Sequence, residues 1–302
     1  MDIGINGSGL LANPNLGTMT ADIAAYEEDN FASYWLAQTG GVDALTVFAA
    51  HGDTGSSMHL GTAVIPTWTT HPQVLAGQAL TTQAAVGGRL VLGLGLAHEP
   101  SVTGRWKMKW ERPVRQMMDF LDVLQPLLAD GAVNHDGYFW SYEGEIPLLE
   151  GPKPKVMIAA LGEQMLKLAG ARTNGTILWC VGPKTVAGHI APAINAAAEK
   201  AGRDQPSIVC SLPVWVTDDP EPARGFIAKM LSVYAELPSY RRMLDIEGLH
   251  GLGELSLVGS EAEITDRIAA IAESGATDFT AVPMGGNPDE IARTKEILRI
   301  IR

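Results

Sequence analysis

The chain has 302 residues, of which 46% are hydrophobic and 19% charged, a composition that can bury a large core and argues against intrinsic disorder. The net charge of −12, without a broad basic face, disfavours a role in nucleic-acid binding. The first residues lack the charged leader and apolar core of a signal peptide, and no run of about 18 apolar residues occurs. Cys180 and Cys210 lie inside apolar runs, as reduced thiols usually do, so we expect a cytoplasmic protein.

Short apolar runs alternate with helical patterns along the whole chain. Eight runs are typical of buried strands: Ile3–Asn6, Phe31–Ala37, Leu60–Ile65, Leu90–Leu96, Lys155–Leu161, Thr176–Val181, Ile208–Val216 and Asp278–Pro283. Helical patterns occupy Ala21–Asn30, Asp43–His51, Pro72–Ala85, Pro113–Ala129, Gln164–Ala171, Thr185–Ala201, Ser260–Ser274 and the segment after Asn287. Eight alternations without a dinucleotide fingerprint after the first strand predict an α/β fold, a closed (β/α)8 TIM barrel, as one domain over residues 1–302.

Two connections are longer than a simple crossover needs, and we interpret them as insertions after strands four and seven. The first begins at Glu99 and contains the run RWKMKWERPVR, from Arg105 to Arg115. The second, Asp218–Leu257, predicts an extra helix over Glu221–Ala235 and a segment that covers the active site. The basic run has two interpretations, a lid that meets an anion or a solvated helix face.

The fourth strand contains Gly93 and Gly95, which weaken a strand. We interpret them as a place where another molecule approaches the backbone closely. The alternative is that they relieve crowding inside the closed barrel.

In such barrels the chemistry lies at the carboxyl ends of the strands. The residues selected by this rule are Ser8, Gln38, Thr39, Ile65, Pro66, Thr67, Ala97, His98, Leu161, Gly162, Cys180, Val181, Gly182, Thr217, Met284, Gly285 and Gly286. They include no carboxylate pair for hydrolysis, no metal-ligand spacing and no lysine for a Schiff base. A mouth rich in glycine, small residues and amides suits a flat cofactor that brings its own chemistry.

Three segments carry a family resemblance: GTAVIPTWTTHPQVLAGQALTTQ with GGRLVLGLGLAH, ERPVRQMMDFLDVLQPLL, and PKVMIAALGEQMLKLAGARTNGTILWCVGPKT. In their order and spacing they resemble the luciferase-like flavin and deazaflavin oxidoreductases, most of all the actinobacterial enzymes that use coenzyme F420, an 8-hydroxy-5-deazaflavin. The resemblance implies a coenzyme F420-dependent oxidoreductase that transfers a hydride between the cofactor and a small organic substrate. The alternatives are an FMN-dependent luciferase-like monooxygenase, which needs a separate reductase, and a non-catalytic flavin- or deazaflavin-binding protein.

The resemblance also implies where the cofactor binds. In the deazaflavin members a non-prolyl cis peptide in strand three lies against the cofactor ring, and the matching pair is Ala63-Val64. In this family the cofactor phosphate lies near the end of strand five, at a helix N-terminus that favours anions, and strand six adds further residues, with Gly182-Pro183 opening the next helix. The alternative is that the turn after strand five is a plain strand–helix connection. The cofactor-binding residues implied in this way are Gln38, Thr39, Thr62, Ala63, Val64, Gly95, Leu96, Ala160, Leu161, Gly162, Glu163, Gln164, Trp179, Cys180 and Val181.

The chain departs from the family's sugar-phosphate dehydrogenases, which keep an acid and a histidine after strand two and an acid after strand four. Gln38-Thr39 and His98 stand at those positions, so that dehydrogenase chemistry is not expected. His98 is the candidate catalytic residue, because its pKa suits proton transfer. The alternative is a hydrogen-bonding wall residue.

Further expectations concern the substrate and the partners. Trp35, Trp68, Trp106 and Trp179 are expected to line the pocket of a small, apolar substrate. The resemblance implies that the basic run is a lid that meets the anionic polyglutamate tail of the deazaflavin. We expect a homodimer that binds a small-molecule substrate and neither nucleic acid, membrane nor metal.

Overall fold

Eight parallel strands close into a barrel in the computed structural model, which describes residues 1–302. The strands are β1 Asp2–Asn6, β2 Ser33–Leu36, β3 His59–Thr62, β4 Leu90–Gly95, β5 Lys155–Ile158, β6 Gly175–Trp179, β7 Ser207–Val216 and β8 Asp278–Pro283. Each strand pairs with its neighbours in sequence, and β8 pairs with β1 in the register Asp2 to Asp278 and Ile5 to Ala281. The predicted α/β TIM barrel is therefore confirmed.

The helices lie outside the barrel. They are α1 Leu16–Glu28, α2 Ala44–His51, α3 Pro72–Ala85, α4 Pro113–Ala129, α5 Glu163–Arg172, α6 Ala191–Lys200, α7 Pro220–Met230, α8 Pro238–Glu247, α9 Glu261–Glu273 and α10 Pro288–Ile301. Helix α1 begins earlier than the sequence pattern predicted, because the side chain of Asn15 accepts a hydrogen bond from the backbone N–H of Thr18 and caps it. Ser260 and Glu263 form the capping box at the start of α9.

The barrel interior is filled by its own small apolar layer. Trp35, Val91, Met157, Ile177 and Val209 form this layer, separate from the larger core between barrel and helices. The side chain of Trp35 is 3% exposed and lies where Gly61 lacks a side chain. Trp35 is thus part of the barrel core, and the expectation that it lines a substrate pocket was wrong.

The wall formed by β3 and β4 is interrupted. β3 ends at Thr62, and a separate two-residue strand, Ile65–Pro66, pairs with the end of β4. The peptide bond between Ala63 and Val64 is cis, as the resemblance implied. A Cβ atom on Gly93 would overlap Thr62 and Ile177, and one on Gly95 would overlap Val64. These glycines therefore relieve crowding in the barrel wall, and the predicted close approach of another molecule was wrong.

Both insertions are ordered elements. The first contains a single π-helical turn, Ser101–Arg105, and an antiparallel hairpin of Ala132–Asp136 and Ser141–Glu145 that follows α4. The second contains α7, the short helices Ser232–Glu236 and Leu252–Leu255, α8, and the strand Leu257–Gly259, which pairs in parallel with the end of β7. We call residues 231–250 the covering segment. The single helix predicted over Glu221–Ala235 is divided in the structure into α7 and the short helix Ser232–Glu236. None of the helices has the length and apolar character that crossing a bilayer requires.

Candidate active site at the barrel mouth

The turn from β5 to α5 presents an open helix N-terminus. Ala160 is buried and Leu161 half-buried, whereas Gly162 to Gln164 are exposed. No side chain caps α5, and a Cβ atom on Gly162 would meet no other atom. The first backbone N–H groups of α5 therefore face open space at the mouth, where the helix dipole favours a negative charge.

Three basic side chains, those of Lys167, His189 and Arg242, lie near this turn. The imidazole of His189 contacts the carbonyl oxygen of Leu161 at 2.7 Å. The pKa of the Glu163 carboxyl is lowered mainly by its hydrogen bond from Lys167, and also by the nearby side chains of His189 and Arg242. Sequence reasoning missed both residues, because His189 looks like a surface residue and Arg242 lies in a helix that no pattern predicted.

The helical segment that follows β6 begins at Pro183–Thr185, continues through the π-helical turn Val186–Ile190 into α6, and is capped differently. The backbone N–H of Thr185 donates to Oε1 of Glu247 at 2.6 Å, and Glu247, in the covering segment, is 5% exposed. A Cβ atom on Gly182 would come within 2.6 to 2.8 Å of this carboxylate. The N-terminus at Gly182-Pro183 is therefore already occupied by the protein's own anion. A second negative charge at this helix end is disfavoured, because like charges in one buried place repel.

The remaining residues that the resemblance implies for cofactor binding differ in how deeply they are buried. The hydroxyl of Thr62 is consumed in the barrel wall, where it donates to the carbonyl oxygen of Gly93 and accepts from its N–H, both at 2.8 Å. The Thr62 side chain is therefore structural and does not reach the mouth. Gly95, Cys180 and Val181 are also buried, whereas Gln38, Ala63, Val64, Leu96 and Trp179 are half-buried and Thr39 is exposed. A cavity of about 350 Å³ opens beside Gln38 and Ile65.

His98 lies at the mouth in an aromatic environment. It follows Ala97, whose φ of 56° turns the chain sharply at the end of β4. Its ring contacts the rings of Tyr234 and Tyr240, with centroid separations of 5.4 and 5.7 Å. Burial lowers the pKa of His98 below its ordinary value of 6.5, so the imidazole is neutral at pH 7.

Of the four tryptophans expected in a substrate pocket, Trp179 joins this environment. Its ring lies 6.4 Å from that of Tyr234. Trp68 is 5% exposed and packs against Trp110 at 5.6 Å, so it anchors the first insertion, and its predicted place in the pocket was wrong. Trp106 is half-buried in that insertion.

The basic run splits into two groups. Arg112 lies 4.7 Å from the ring centroid of Tyr138, and Arg115 pairs with Asp119 at 2.7 Å, so both are held by the structure. Arg105, Lys107 and Lys109 are exposed and form no ion pair. Residues 106–112 are not helical, and the run joins α4 only at Pro113, so the interpretation as a solvated helix face was wrong for Lys107 and Lys109.

Three potential metal ligands lie together on α4 and the hairpin. The ligand atoms of Asp119, Asp122 and His135 lie within 4.8 Å of one another. The carboxylates are paired with Arg115 at 2.7 Å and with Arg172 at 2.5 Å. Guanidinium groups therefore already supply the positive charge that these carboxylates need.

A sequence profile of the luciferase-like monooxygenase family matches residues 4–278. This chain belongs to that family. It is 30% identical over 258 residues to an uncharacterised protein of Mycobacterium tuberculosis, covering 80% of this chain and 75% of that protein. It is 26% identical over 260 residues to 5,10-methylenetetrahydromethanopterin reductase of Methanolobus tindarius, covering 85% and 78%.

Solved structures of the luciferase-like family share the fold at low sequence identity. The coenzyme F420-dependent tetrahydromethanopterin reductase of Methanopyrus kandleri superposes with a TM-score of 0.80 at 17% identity, over 99% of this chain and 96% of that one. The oxygenating constituent of 3,6-diketocamphane monooxygenase of Pseudomonas putida, a complex with FMN, superposes with a TM-score of 0.77 at 15% identity, over 100% and 97%. The barrel is thus shared by F420 and FMN proteins.

Proposed function

We propose that this luciferase-like protein is a coenzyme F420-dependent oxidoreductase that transfers a hydride between the cofactor and a small organic substrate. When bound, the deazaflavin ring would supply the hydride chemistry. The residues of the chain then have to bind an anion, hold a flat ring and exclude water. Relatives of this chain that carry F420-dependent names support the assignment.

The observation that carries the proposal is the open N-terminus of α5. An uncapped helix N-terminus with free space at Gly162 fits a phosphate, and the guanidinium of Arg242 adds positive charge near it. The half-buried pair Ala63 and Val64 would face the ring, as the family resemblance implies. The mouth supplies few acids or bases of its own, which agrees with redox chemistry supplied by a cofactor.

The three unpaired cations favour a deazaflavin over FMN. Both cofactors carry a phosphate, but only coenzyme F420 carries a polyanionic tail beyond it. Arg105, Lys107 and Lys109 lie on the insertion that follows β4, and β4 is the neighbour of β5 in the barrel. An exposed cluster of cations on a protein of net charge −12 attracts a negative tail by local steering.

The second candidate is an FMN-dependent monooxygenase, because the same helix N-terminus fits the phosphate of FMN. The experiment that tests the proposal is a calorimetric titration of the purified protein with oxidised coenzyme F420 and with FMN. We expect F420 to bind at least tenfold more tightly. Equal or tighter binding of FMN would reject the deazaflavin assignment.

Turnover separates an enzyme from a binding protein. Reduced F420 is mixed with the loaded protein and a panel of ketones, aldehydes and enones, and the absorbance of the oxidised ring is followed. Substrate-dependent oxidation without oxygen consumption supports hydride transfer. Tight binding without oxidation for any compound in the panel would favour a non-catalytic role.

A further inference from the structure

The wall formed by β3 and β4 contains one residue more on the β3 side than on β4. Gly61 pairs with Val91, and after the interruption Ile65 pairs with Leu94. Between these two pairs lie three residues on the β3 side and two on β4. One extra residue between paired positions is a β-bulge, which interrupts the backbone ladder and re-aims the side chains of the bulged strand.

The hydroxyl group of Thr62 takes the place of the interrupted backbone bonds. It donates to the carbonyl oxygen of Gly93 and accepts from the N–H of the same residue, both at 2.8 Å. Thr62 is 0% exposed, so these bonds are shielded from solvent. One side chain therefore satisfies both polar groups that Gly93 turns toward β3, which would otherwise be buried without a partner.

The residues that follow Thr62 in the bulge face the top of the barrel interior. Ala63 and Val64 pack on the inner apolar layer that contains Trp35, and both remain half-buried. The side chain of Val64 occupies room that Gly95 leaves, since a Cβ atom on Gly95 would come within 2.3 Å of it. The bulge thereby places a small apolar surface at the barrel mouth.

We propose that Thr62 is a positioning residue for the cofactor ring. Its hydroxyl group fixes the bulge against β4, and the bulge in turn sets the height and angle of the surface formed by Ala63 and Val64. Thr62 does not touch the ring and acts only through these two neighbours. That a ring lies against this surface rests on the proposed function.

The chemistry of the side chain at position 62 makes the role testable. Valine has nearly the shape of threonine but no hydroxyl group, so it would leave the N–H and the carbonyl oxygen of Gly93 buried and unpaired. A shift of the bulge would give these groups new partners, whereas a binding surface has to be held within about 0.5 Å of its productive geometry. Serine keeps the hydroxyl group, and cysteine offers only a weak donor and acceptor.

The test compares variants of the full chain. Thr62→Val removes the hydroxyl group, Thr62→Ser keeps it, and Thr62→Cys is intermediate. Thr294→Val is the matched control, because Thr294 is also 0% exposed and its hydroxyl group donates to the carbonyl oxygen of Met284 at 3.0 Å and accepts from the N–H of Val216 at 2.9 Å. These bonds join α10 to β7 and to the residue after β8, on the other side of the barrel from β3 and β4.

Two measurements with oxidised F420 report on the ring: the dissociation constant from calorimetry and the absorbance spectrum of the bound cofactor. We expect Thr62→Val to weaken F420 binding about tenfold and to shift the absorbance maximum of the bound ring. Thr62→Ser should match the wild type in both measurements, and Thr62→Cys should lie between them. Thr294→Val should lose as much thermal stability as Thr62→Val and still bind F420 with wild-type affinity and spectrum.

Three results would overturn the proposal: wild-type F420 affinity and spectrum in Thr62→Val, failure of Thr62→Ser to restore them, or equal weakening in Thr294→Val. If Thr62→Val does not fold, Thr62→Cys decides. Wild-type affinity and spectrum in a destabilised Thr62→Cys variant would then overturn the positioning role, because the hydroxyl would matter to the fold alone.

A second ring and a cofactor-free measurement separate this role from the proposed function. Hydrogen exchange without cofactor should be at least about tenfold faster in residues 61–66 and 90–95 of Thr62→Val, and unchanged there in Thr294→Val. If the wild type binds FMN and not F420, the proposed function is rejected, and a Thr62-dependent affinity and spectrum of FMN still support the positioning role. Tight F420 binding that is insensitive to Thr62→Val overturns the positioning role alone, and binding of neither ring overturns both.

Discussion

Glu247 offers the sharpest test of how the mouth is built. Its buried carboxylate accepts the backbone N–H of Thr185 at 2.6 Å, and its backbone carbonyl accepts from Nζ of Lys184 at 2.9 Å. No cationic side chain forms an ion pair with this carboxylate, so the helix N-terminus itself stabilises the charge. Glu247 thereby joins the covering segment to the helix that follows β6.

The expected loss of unfolding free energy follows from the groups that each substitution removes. Glu247→Gln keeps the shape and an acceptor oxygen but loses the charge, and a charge at a partly buried helix end contributes up to about 2 kcal/mol. We expect this variant to lose about 1 kcal/mol of unfolding free energy. Glu247→Ala loses the cap as well and leaves buried N–H groups without a partner, so we expect a loss of about 2–4 kcal/mol.

The assay is urea unfolding followed by circular dichroism, with Glu236→Gln as the control. Glu236 is exposed on the same covering segment and forms no ion pair, so its replacement should stay within about 0.5 kcal/mol of the wild type. Hydrogen exchange of α8 should also become faster in Glu247→Ala, because its attachment is lost. An unchanged unfolding free energy in Glu247→Ala would refute the capping role.

Phosphate binding gives a second, independent readout. If the cofactor phosphate binds at α5, removing the carboxylate from the neighbouring helix should change F420 affinity only slightly. A gain of more than tenfold in Glu247→Gln would show that Glu247 competes for the phosphate position, and would refute the placement at Gly162.

Three further predictions concern the cofactor and pH. Gly162→Asp should weaken F420 binding by at least tenfold in calorimetry, whereas Gly162→Ala should bind normally, because both side chains have space but only the aspartate is negative. Normal F420 binding by a folded Gly162→Asp variant would place the phosphate elsewhere. Replacing Arg105, Lys107 and Lys109 together by Gln should abolish the preference for long-tail over tailless deazaflavin at about 0.1 M salt and have little effect near 0.5 M. Equal weakening of the binding of long-tail and tailless deazaflavin would show that the loop shapes the pocket. Because burial lowers the pKa of His98 in the folded chain, the unfolded chain takes up the proton first, so the unfolding free energy falls as the pH drops below about 6.5. His98→Gln should make that fall shallower in urea titrations between about pH 7 and 5, and an identical slope would contradict the reasoning.

The barrel was predictable because its strands are short apolar runs with a regular spacing. A strand buried on both faces needs apolar residues throughout, and eight such runs are visible without any knowledge of contacts. Helix starts were predictable where a capping side chain marks them, as at Ser260. The start of α1 was missed because Asn15 caps a helix whose first turn is exposed and weakly patterned.

The mouth was less predictable because its parts come from distant positions in the chain. His98 could be found, since it follows a predicted strand directly. Tyr234, Tyr240 and Glu247 lie in an insertion whose pattern does not reveal which side faces the barrel, and only the packing brings them within reach of His98 and Thr185. Gly93 and Gly95 in β4 were noticed in the sequence but misinterpreted. Glycine makes room for a neighbour without indicating whether that neighbour is protein or ligand.

The attachment of the covering segment has a consequence for how such a protein diversifies. The second insertion, which contains the covering segment, leaves the barrel after β7 and returns to it as the strand Leu257–Gly259. That strand pairs with the end of β7, so both ends of the insertion are fixed to the same strand. Between those ends it contacts the barrel mouth through two tyrosine rings and one carboxylate, while the open N-terminus of α5 belongs to a different part of the chain. Sequence change in this one segment can therefore replace the chemistry offered to an incoming molecule while the helix end at Gly162 stays intact. A library confined to residues 231–250 that keeps Arg242 and Glu247 should yield folded proteins that bind new molecules with the same cofactor.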